Sequence, residues 1–188
     1  PKVLHPLNDR PMIHYVIELA KTIGSERVIA IVGHKKELVR ESCETLGAEF
    51  AVQEKQLGTG HAVQMTEEHL GGFDGDVLIL SGDVPLLTES TLRKLVESHK
   101  ESGAVATLLT SELEDPTGYG RILRNTSGYV RKIVEQKDAD PEEQAVQEIN
   151  VGIYIVNAPD LYRALRMVDN NNAQGEYYLT DVIALAVN

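Results

Sequence analysis

Two periods alternate along this chain, and that alternation restricts the fold more than any other feature. Short apolar, β-branched runs, "RVIAIV" (27–32), "DVLIL" (76–80) and "INVGIYIVN" (149–157), are separated by segments whose apolar residues recur at helical spacing. Strands so poor in polar alternation need apolar cover on both faces, and helices packed on a sheet provide it. In "NDRPMIHYVIELAKTIG", Met12, Ile13, Val16, Ile17, Ala20 and Ile23 fall on one stripe, with Pro11 suited to an early helical position and Gly24 to the stop. "KKELVRESCETLG" turns Leu38, Val39, Ser42, Cys43 and Leu46 inward. "GHAVQMTEEHL" and "TESTLRKLVESHK", the latter starting at Thr88, supply two further helices, and "AEFAV" and "AVATLLT" two further strands. The pattern predicts an α/β fold: a mostly parallel sheet with helices on both faces and a site at the carboxyl ends of strands.

After residue 115 the texture changes. "GYGRILRNTSGYVRKIVEQ" places two β-rich stretches around a polar turn, an antiparallel hairpin inserted as a small lobe. In "DADPEEQ", Asp140 suits a helix cap, with Pro141 first in the helix and acidic residues in its first turn. A buried strand, a helix over "APDLYRALRMV", a polar loop "NNNAQGEYYLTD" and a closing helix "VIALAV", capped by Thr180 or Asp181, complete the chain.

Composition narrows the partners. A net charge of −11 argues against a nucleic-acid or anionic-membrane surface, which needs clustered Lys and Arg, and admits an anionic small substrate where a cation mediates. The single cysteine, Cys43, rules out an internal disulfide and any Cys-x-x-Cys site, and makes the cytosol the natural compartment. No apolar run approaches the roughly 20 residues that span a bilayer. "GTGHAV" and "GYGRIL" lack the last small residue of a dinucleotide fingerprint, and no Gly-Lys pair or His-Glu-x-x-His occurs. The six histidines are scattered and read as core or surface residues.

Four stretches carry candidate chemistry. In "QEKQLGTGHA", Gly58 and Gly60 flank Thr59 before a helix; they allow close approach of a planar or phosphorylated ligand, or serve a tight strand-to-helix turn. In "LSGDVPLL", Asp83 stands where an apolar strand ends. A carboxylate there can hold Mg²⁺, and Gly-Asp before proline is also turn chemistry. Lys2 in "PKVLH" is a point charge for phosphate or an ordinary surface lysine. Gly120, Glu135 and Asn150 lie in strand-like surroundings, where the polar pair needs hydrogen-bond partners from sugar hydroxyls or from a structural network.

Taken in order, "PKVLH", "QLGTGHA", "GDVPLL", "DPTGYGRI", "IVEQKDA", "QEINVGIY" and "NNNAQGEYYLTD" closely resemble one family: the N-terminal uridyltransferase domain of bifunctional bacterial N-acetylglucosamine-1-phosphate uridyltransferase/glucosamine-1-phosphate acetyltransferases. The resemblance implies a Rossmann-like nucleotidyltransferase (glycosyltransferase-A-like) fold over 1–188, with a nucleotide-binding part at 1–114 and a sugar-binding lobe and return to the sheet at 115–188. It implies UMP transfer from UTP to N-acetylglucosamine 1-phosphate with Mg²⁺, giving UDP-N-acetylglucosamine and pyrophosphate for cell-wall precursors in the cytoplasm. By motif, Gln53 and the Gly58-Thr59 turn would read uracil, and Ser81 and Gly82 would line the nucleotide site, although the family commonly carries another residue where Ser81 stands. Asp83 would bind Mg²⁺, Lys2 would contact phosphate, and Gly120, Glu135 and Asn150 would hold the sugar. The family also has a glycine-rich loop and strand expected just before Pro1. A second metal-ligating asparagine is expected beyond Asn188, as is a trimer-forming β-helix that carries acetyltransfer. A piece without them is expected to turn over poorly, as a monomer or an edge-associated assembly. Alternatives from the sequence are transfer to another sugar 1-phosphate and a non-catalytic sugar-nucleotide binding module.

Overall fold

In a computed structural model, residues 1–186 are described. Val187, which belongs to the expected closing helix, and Asn188 lie outside them. A single 3₁₀ turn, Lys2–Leu4, leads into a minimal hairpin of β1 (Pro6–Leu7) and β2 (Arg10–Pro11). Its turn residues, Asn8 and Asp9, take φ of 48° and 62°, the left-handed conformation that asparagine and aspartate tolerate. α1 (Met12–Thr22) follows, burying Ile13, Val16, Ile17 and Ala20 of the expected stripe. β3 (Ile29–Val32), α2 (Lys36–Cys43), β4 (Glu49–Val52), α3 (Thr59–Gln64), β5 (Asp76–Ile79) and α4 (Glu89–Ser102) continue the alternation. Thr88 caps α4 by accepting from the Thr91 amide at 3.2 Å.

The helix expected over 60–70 stops at Gln64. The Thr66 hydroxyl donates to the Val63 carbonyl at 2.7 Å, and the Met65, Thr66 and Glu67 amides reach back only three residues, tightening the chain out of helical pitch.

β6 (Ala106–Glu112) precedes the expected hairpin, β7 (Arg121–Arg124) and β8 (Val130–Val134), which pair antiparallel. Asp140 closes a full capping box on α5 (Pro141–Gln144) with Glu143. β9 (Glu148–Asn157), α6 (Ala158–Leu165) and α7 (Thr180–Ala186) end the described chain. Thr180 lies inside α7 rather than capping it.

The α/β class stands, with parallel and antiparallel pairing in separate sheets, and the parallel share is smaller than the alternation predicts. Among the described residues β3 and β4 are the one parallel pair, forming a separate two-stranded sheet. In the five-stranded sheet every pairing is antiparallel. The reason is an insertion. β5, α4 and β6 form a strand-helix-strand crossover whose two strands point the same way, yet they are not neighbours, because β9 runs between them in the opposite sense. Helical period reports the crossover; it carries no information about which later strand fills the slot.

Helices cover both faces of β9. Ile153 and Ile155 pack with Leu92 and Leu95 of α4, while Tyr154 and Val156 pack with Leu161 of α6 and Val182 and Ile183 of α7. A third cluster joins Ile13 and Ile17 of α1 and Val39 and Cys43 of α2 to Val32 of β3. Full burial of each such side chain is worth about 1.5–3 kcal/mol.

Candidate functional site

The site begins with a break in one edge of β9. β5 pairs with that edge from Tyr154 to Asn157, and β7 joins it at Ile149. Between them β9 bulges: β6 advances from Leu108 to Thr110 while β9 advances from Tyr154 to Asn150, and Gly152 takes a φ of 79° that glycine alone adopts without strain. Asn150 sits in the bulge. Its Nδ2 donates to the Tyr154 hydroxyl at 2.6 Å and its Oδ1 accepts from the Gly152 amide at 3.0 Å, which fixes the carboxamide. The Tyr154 hydroxyl is pushed well above the usual phenol range, first by its burial.

Gly120, buried, donates no side chain but defines the spacing. A Cβ placed on it would stand 3.5 Å from both the Asn150 Cβ and Glu135 Oε2, and 3.2 Å from Ile133 Cγ2. The three residues singled out for a sugar are therefore together. Arg121, 1% exposed, anchors this corner by donating to the Tyr119 and Gln144 carbonyls and to Gln136 Oε1. Glu135 follows the last residue of β8, and its Oε1 accepts from the buried Thr180 hydroxyl at 3.1 Å. Burial, with Asp138 nearby, raises its pKa; burial, with Asp169 beside it, raises that of Asp181 too. A cavity of about 450 Å³ touches Glu135 and Thr180 from the α7 side. A larger one, about 670 Å³, lined by Phe50, Val52 and Met65, includes none of the candidate residues, so volume does not locate the site.

The second group lies past the end of β5. Lys2 Nζ donates to Asp83 Oδ2 at 2.7 Å, across 81 positions of sequence. The carboxylate raises the lysine pKa, by its hydrogen bond first and its charge second. The pair is open to solvent, Lys2 at 75% and Asp83 at 32%, so it adds little to stability. Among the described residues no three His, Cys, Asp or Glu side chains gather to hold a metal ion. A lone accessible carboxylate that already attracts a cation nonetheless fits Mg²⁺, which binds through one or two carboxylates and fills its shell with phosphate oxygens and water.

The third group is the turn after β4. Gln53, 8% exposed, turns its Nε2 onto the Gly58 carbonyl at 3.0 Å and His61 Nδ1 at 2.9 Å. The two glycines answer to the chain itself. A Cβ on Gly58, where φ is 113°, would come within 2.6 Å of the Tyr177 carbonyl oxygen, and one on Gly60 within 3.0 Å. Thr59 Oγ1 accepts from the Leu179 amide at 3.0 Å. The "EYYLT" segment thus lies on the turn.

These contacts make one continuous path. Asp83 leads through Gly82 to Ser81, whose Oγ would be 3.4 Å from a Cβ on Gly152; Gly152 leads to Asn150, Gly120 and Glu135; Thr180 and Leu179 then lead to Thr59, Gly58 and Gln53. The sequence reading missed His61, Thr180 and Tyr154. Thr180 was legible as a helix cap only, Tyr154 as a core residue, and His61 as one scattered histidine among six.

An α/β fold with helices on both faces of β9 and polar groups gathered around its bulge defines a class, and a family model described as nucleotidyl transferase matches residues 1–188. The chain belongs to that family. Two solved structures of UDP-glucose pyrophosphorylase, one complexed with UDP-glucose and one apo, share the fold. Each matches with a TM-score of 0.72 over 98% of this chain, at 21% and 20% identity, covering 77% and 78% of their own chains. Among curated relatives, proteins named "Bifunctional protein GlmU" are 53% identical in Caldanaerobacter subterraneus subsp. tengcongensis, 51% in Thermoanaerobacter pseudethanolicus and 50% in Geobacillus thermodenitrificans, across 98–100% of this chain. The chain spans 40–41% of the length of those relatives. No described helix is long and apolar enough to cross a membrane.

Proposed function

We propose that this chain is the nucleotidyl-transfer portion of a cytoplasmic enzyme that joins UMP from UTP to N-acetylglucosamine 1-phosphate, giving UDP-N-acetylglucosamine and pyrophosphate. The observation that supports the reading is that Asp83, the Gly120, Glu135 and Asn150 group and the Gln53 turn are joined to one another by contacts, so that groups suited to phosphate, sugar and base belong to one neighbourhood of the fold. An oxygen of the sugar phosphate attacks the α-phosphorus, forming the new P–O bond as the bond to the β-phosphate oxygen breaks. No protein nucleophile is needed.

The residues align and neutralise. Lys2 places a positive charge against the phosphates, Asp83 would hold Mg²⁺, and Glu135 and Asn150 accept from and donate to sugar hydroxyls and the acetamido group. When bound, Mg²⁺ offsets the triphosphate charge and so reconciles a chain of net charge −11 with an anionic substrate. The Gly58-Thr59 turn and Gln53 face the base, and Ser81 and Gly82 line the nucleotide site next to Asp83.

Pyrophosphate release from UTP and Mg²⁺ in the full-length protein, with N-acetylglucosamine 1-phosphate compared against glucose 1-phosphate, tests the reaction. A preference for the acetamido sugar is expected, and equal or reversed use overturns the sugar assignment. Titration of UDP-N-acetylglucosamine into the 188-residue chain tests binding; binding with no pyrophosphate release from the full-length protein would make it a binding module instead.

A further inference from the structure

The carboxamide of Gln53 is held in one orientation. The residue follows the last residue of β4, its amide donates to the Val32 carbonyl at 2.8 Å, and its own carbonyl accepts from Gln56 Nε2 at 3.0 Å. The side-chain nitrogen has two protons and two partners, the Gly58 carbonyl and His61 Nδ1. A carbonyl oxygen only accepts, so Gly58 determines which end of the carboxamide is nitrogen. His61 Nδ1 must then accept as well, and the ring carries its proton on Nε2.

Both hydrogens of Gln53 Nε2 are thereby occupied, and Oε1 is what remains. No described group donates to it, and it is not sealed away: the one sealed, unpartnered side-chain atom among the described residues is Arg40 Nε. A side chain more than nine-tenths buried thus presents a single fixed acceptor. His61 is itself braced. Its ring lies 6.4 Å from that of Tyr177, whose amide donates to the Leu57 carbonyl and whose carbonyl accepts from the Gly60 amide, both at 2.8 Å.

We infer that His61 is a positioning residue that sets pyrimidine selectivity through Gln53, by holding Oε1 outward as an acceptor for a ring N–H. Uracil offers such a donor at its imide nitrogen. Cytosine offers an acceptor at the same place, so its ring nitrogen meets the oxygen lone pairs with no proton between them. The inference rests on the reading above that Gln53 faces the base.

Calorimetric titration of UTP and CTP, each with Mg²⁺, into the protein and its variants tests it, with the ratio of the two dissociation constants as the readout. The wild type is expected to favour UTP. His61→Phe keeps an aromatic ring against Tyr177 but removes the acceptor, and the ratio should fall about tenfold, the value of one well-placed hydrogen bond. His61→Asn, which returns an oxygen acceptor to the place of Nδ1, should restore it. A His61→Phe ratio equal to that of the wild type overturns the inference. Gln53→Ala separates the two readings. If it collapses the ratio and His61→Phe does not, the inference alone fails. If Gln53→Ala leaves the ratio unchanged, or the wild type shows no preference or binds neither nucleotide, the base assignment fails and the inference with it. Long-range ¹H–¹⁵N NMR of the wild type needs no variant to fold. It should show the His61 proton on Nε2 and a bare Nδ1, and a proton on Nδ1 overturns the inference.

Discussion

The two ends of the proposed site are built in opposite ways. At the sugar end Asn150 is tied to Tyr154 and to the Gly152 amide inside the bulge of β9, Glu135 is tied to Thr180, and the side chains of Ile133, Asn150 and Glu135 crowd Gly120. At the phosphate end one exposed lysine meets one third-exposed aspartate, and no other described ion pair supports them. The sugar end is preorganised and contributes to the fold; the phosphate end is held in place by the fold and contributes little to it. A neutral, hydroxyl-rich ligand needs fixed donors and acceptors, whereas a triphosphate brings charge enough to order a mobile cation and a carboxylate around itself.

Four experiments would break or sharpen that contrast. The largest effect is expected from Asp83→Ala in the full-length protein: a loss of roughly 10²–10³-fold in pyrophosphate release with the melting temperature within about 1 °C of wild type. Chelation of divalent cations should reproduce the loss of activity. A melting temperature that falls as well would make the aspartate structural and erase the contrast.

Asn150→Ala should do both kinds of damage. It strands the Tyr154 hydroxyl, 3% exposed, without its hydrogen-bond partner, which costs about 1–3 kcal/mol, or roughly 2–4 °C per kcal/mol in a chain of this size. Sugar-phosphate affinity should fall in parallel in calorimetry. Gly120→Ala comes next. Its methyl would press on Ile133 and stand in contact with Asn150 and Glu135, so sugar-phosphate affinity should drop about tenfold while a stability loss of about 1–3 kcal/mol reports the overpacking.

The smallest effect is one of pH. Burial raises the folded-state pKa of Glu135 and of Asp181 above their ordinary values. Such a group favours the folded state while protonated, at pH below its unfolded pKa, and that contribution is lost as pH rises through the folded pKa. Glu135→Gln should therefore stabilise the protein at pH 7 and change little near pH 3.5, as followed by thermal unfolding at the two values. Equal effects at both would show that burial does not penalise the charged carboxylate.

Much of the local structure was legible in the residues. The stripe on the first helix, the start of α4 near Thr88, the Asp140 cap and the hairpin around the "NTSG" turn all follow from local periodicity and turn chemistry, which operate over a few residues. The meeting of Lys2 and Asp83, 81 positions apart, was reachable only through a resemblance of ordered motifs. The glycines at 58 and 60 were visible as a turn, but their reason, the backbone of Tyr177 lying against them, was not. Nor was the role of Thr180, since a threonine before an apolar run reads as a cap until the chain places a carboxylate beside it.

By itself the sequence determined most of the longer elements and the residue types along one edge of the site, because hydrophobic period and capping are properties of neighbouring residues; it did not foresee the β1–β2 hairpin, and Leu38, expected inward, is 49% exposed. The tertiary structure alone decided that β9 runs between β5 and β6, that its bulge brings Asn150 beside Gly120, which Glu135 also borders, and that Gln53 offers an oxygen rather than a nitrogen. Strand order depends on pairing between distant segments, and the two side chains are fixed by hydrogen bonds that form only in the folded backbone, because a donor meets its acceptor only after folding has brought both to one place.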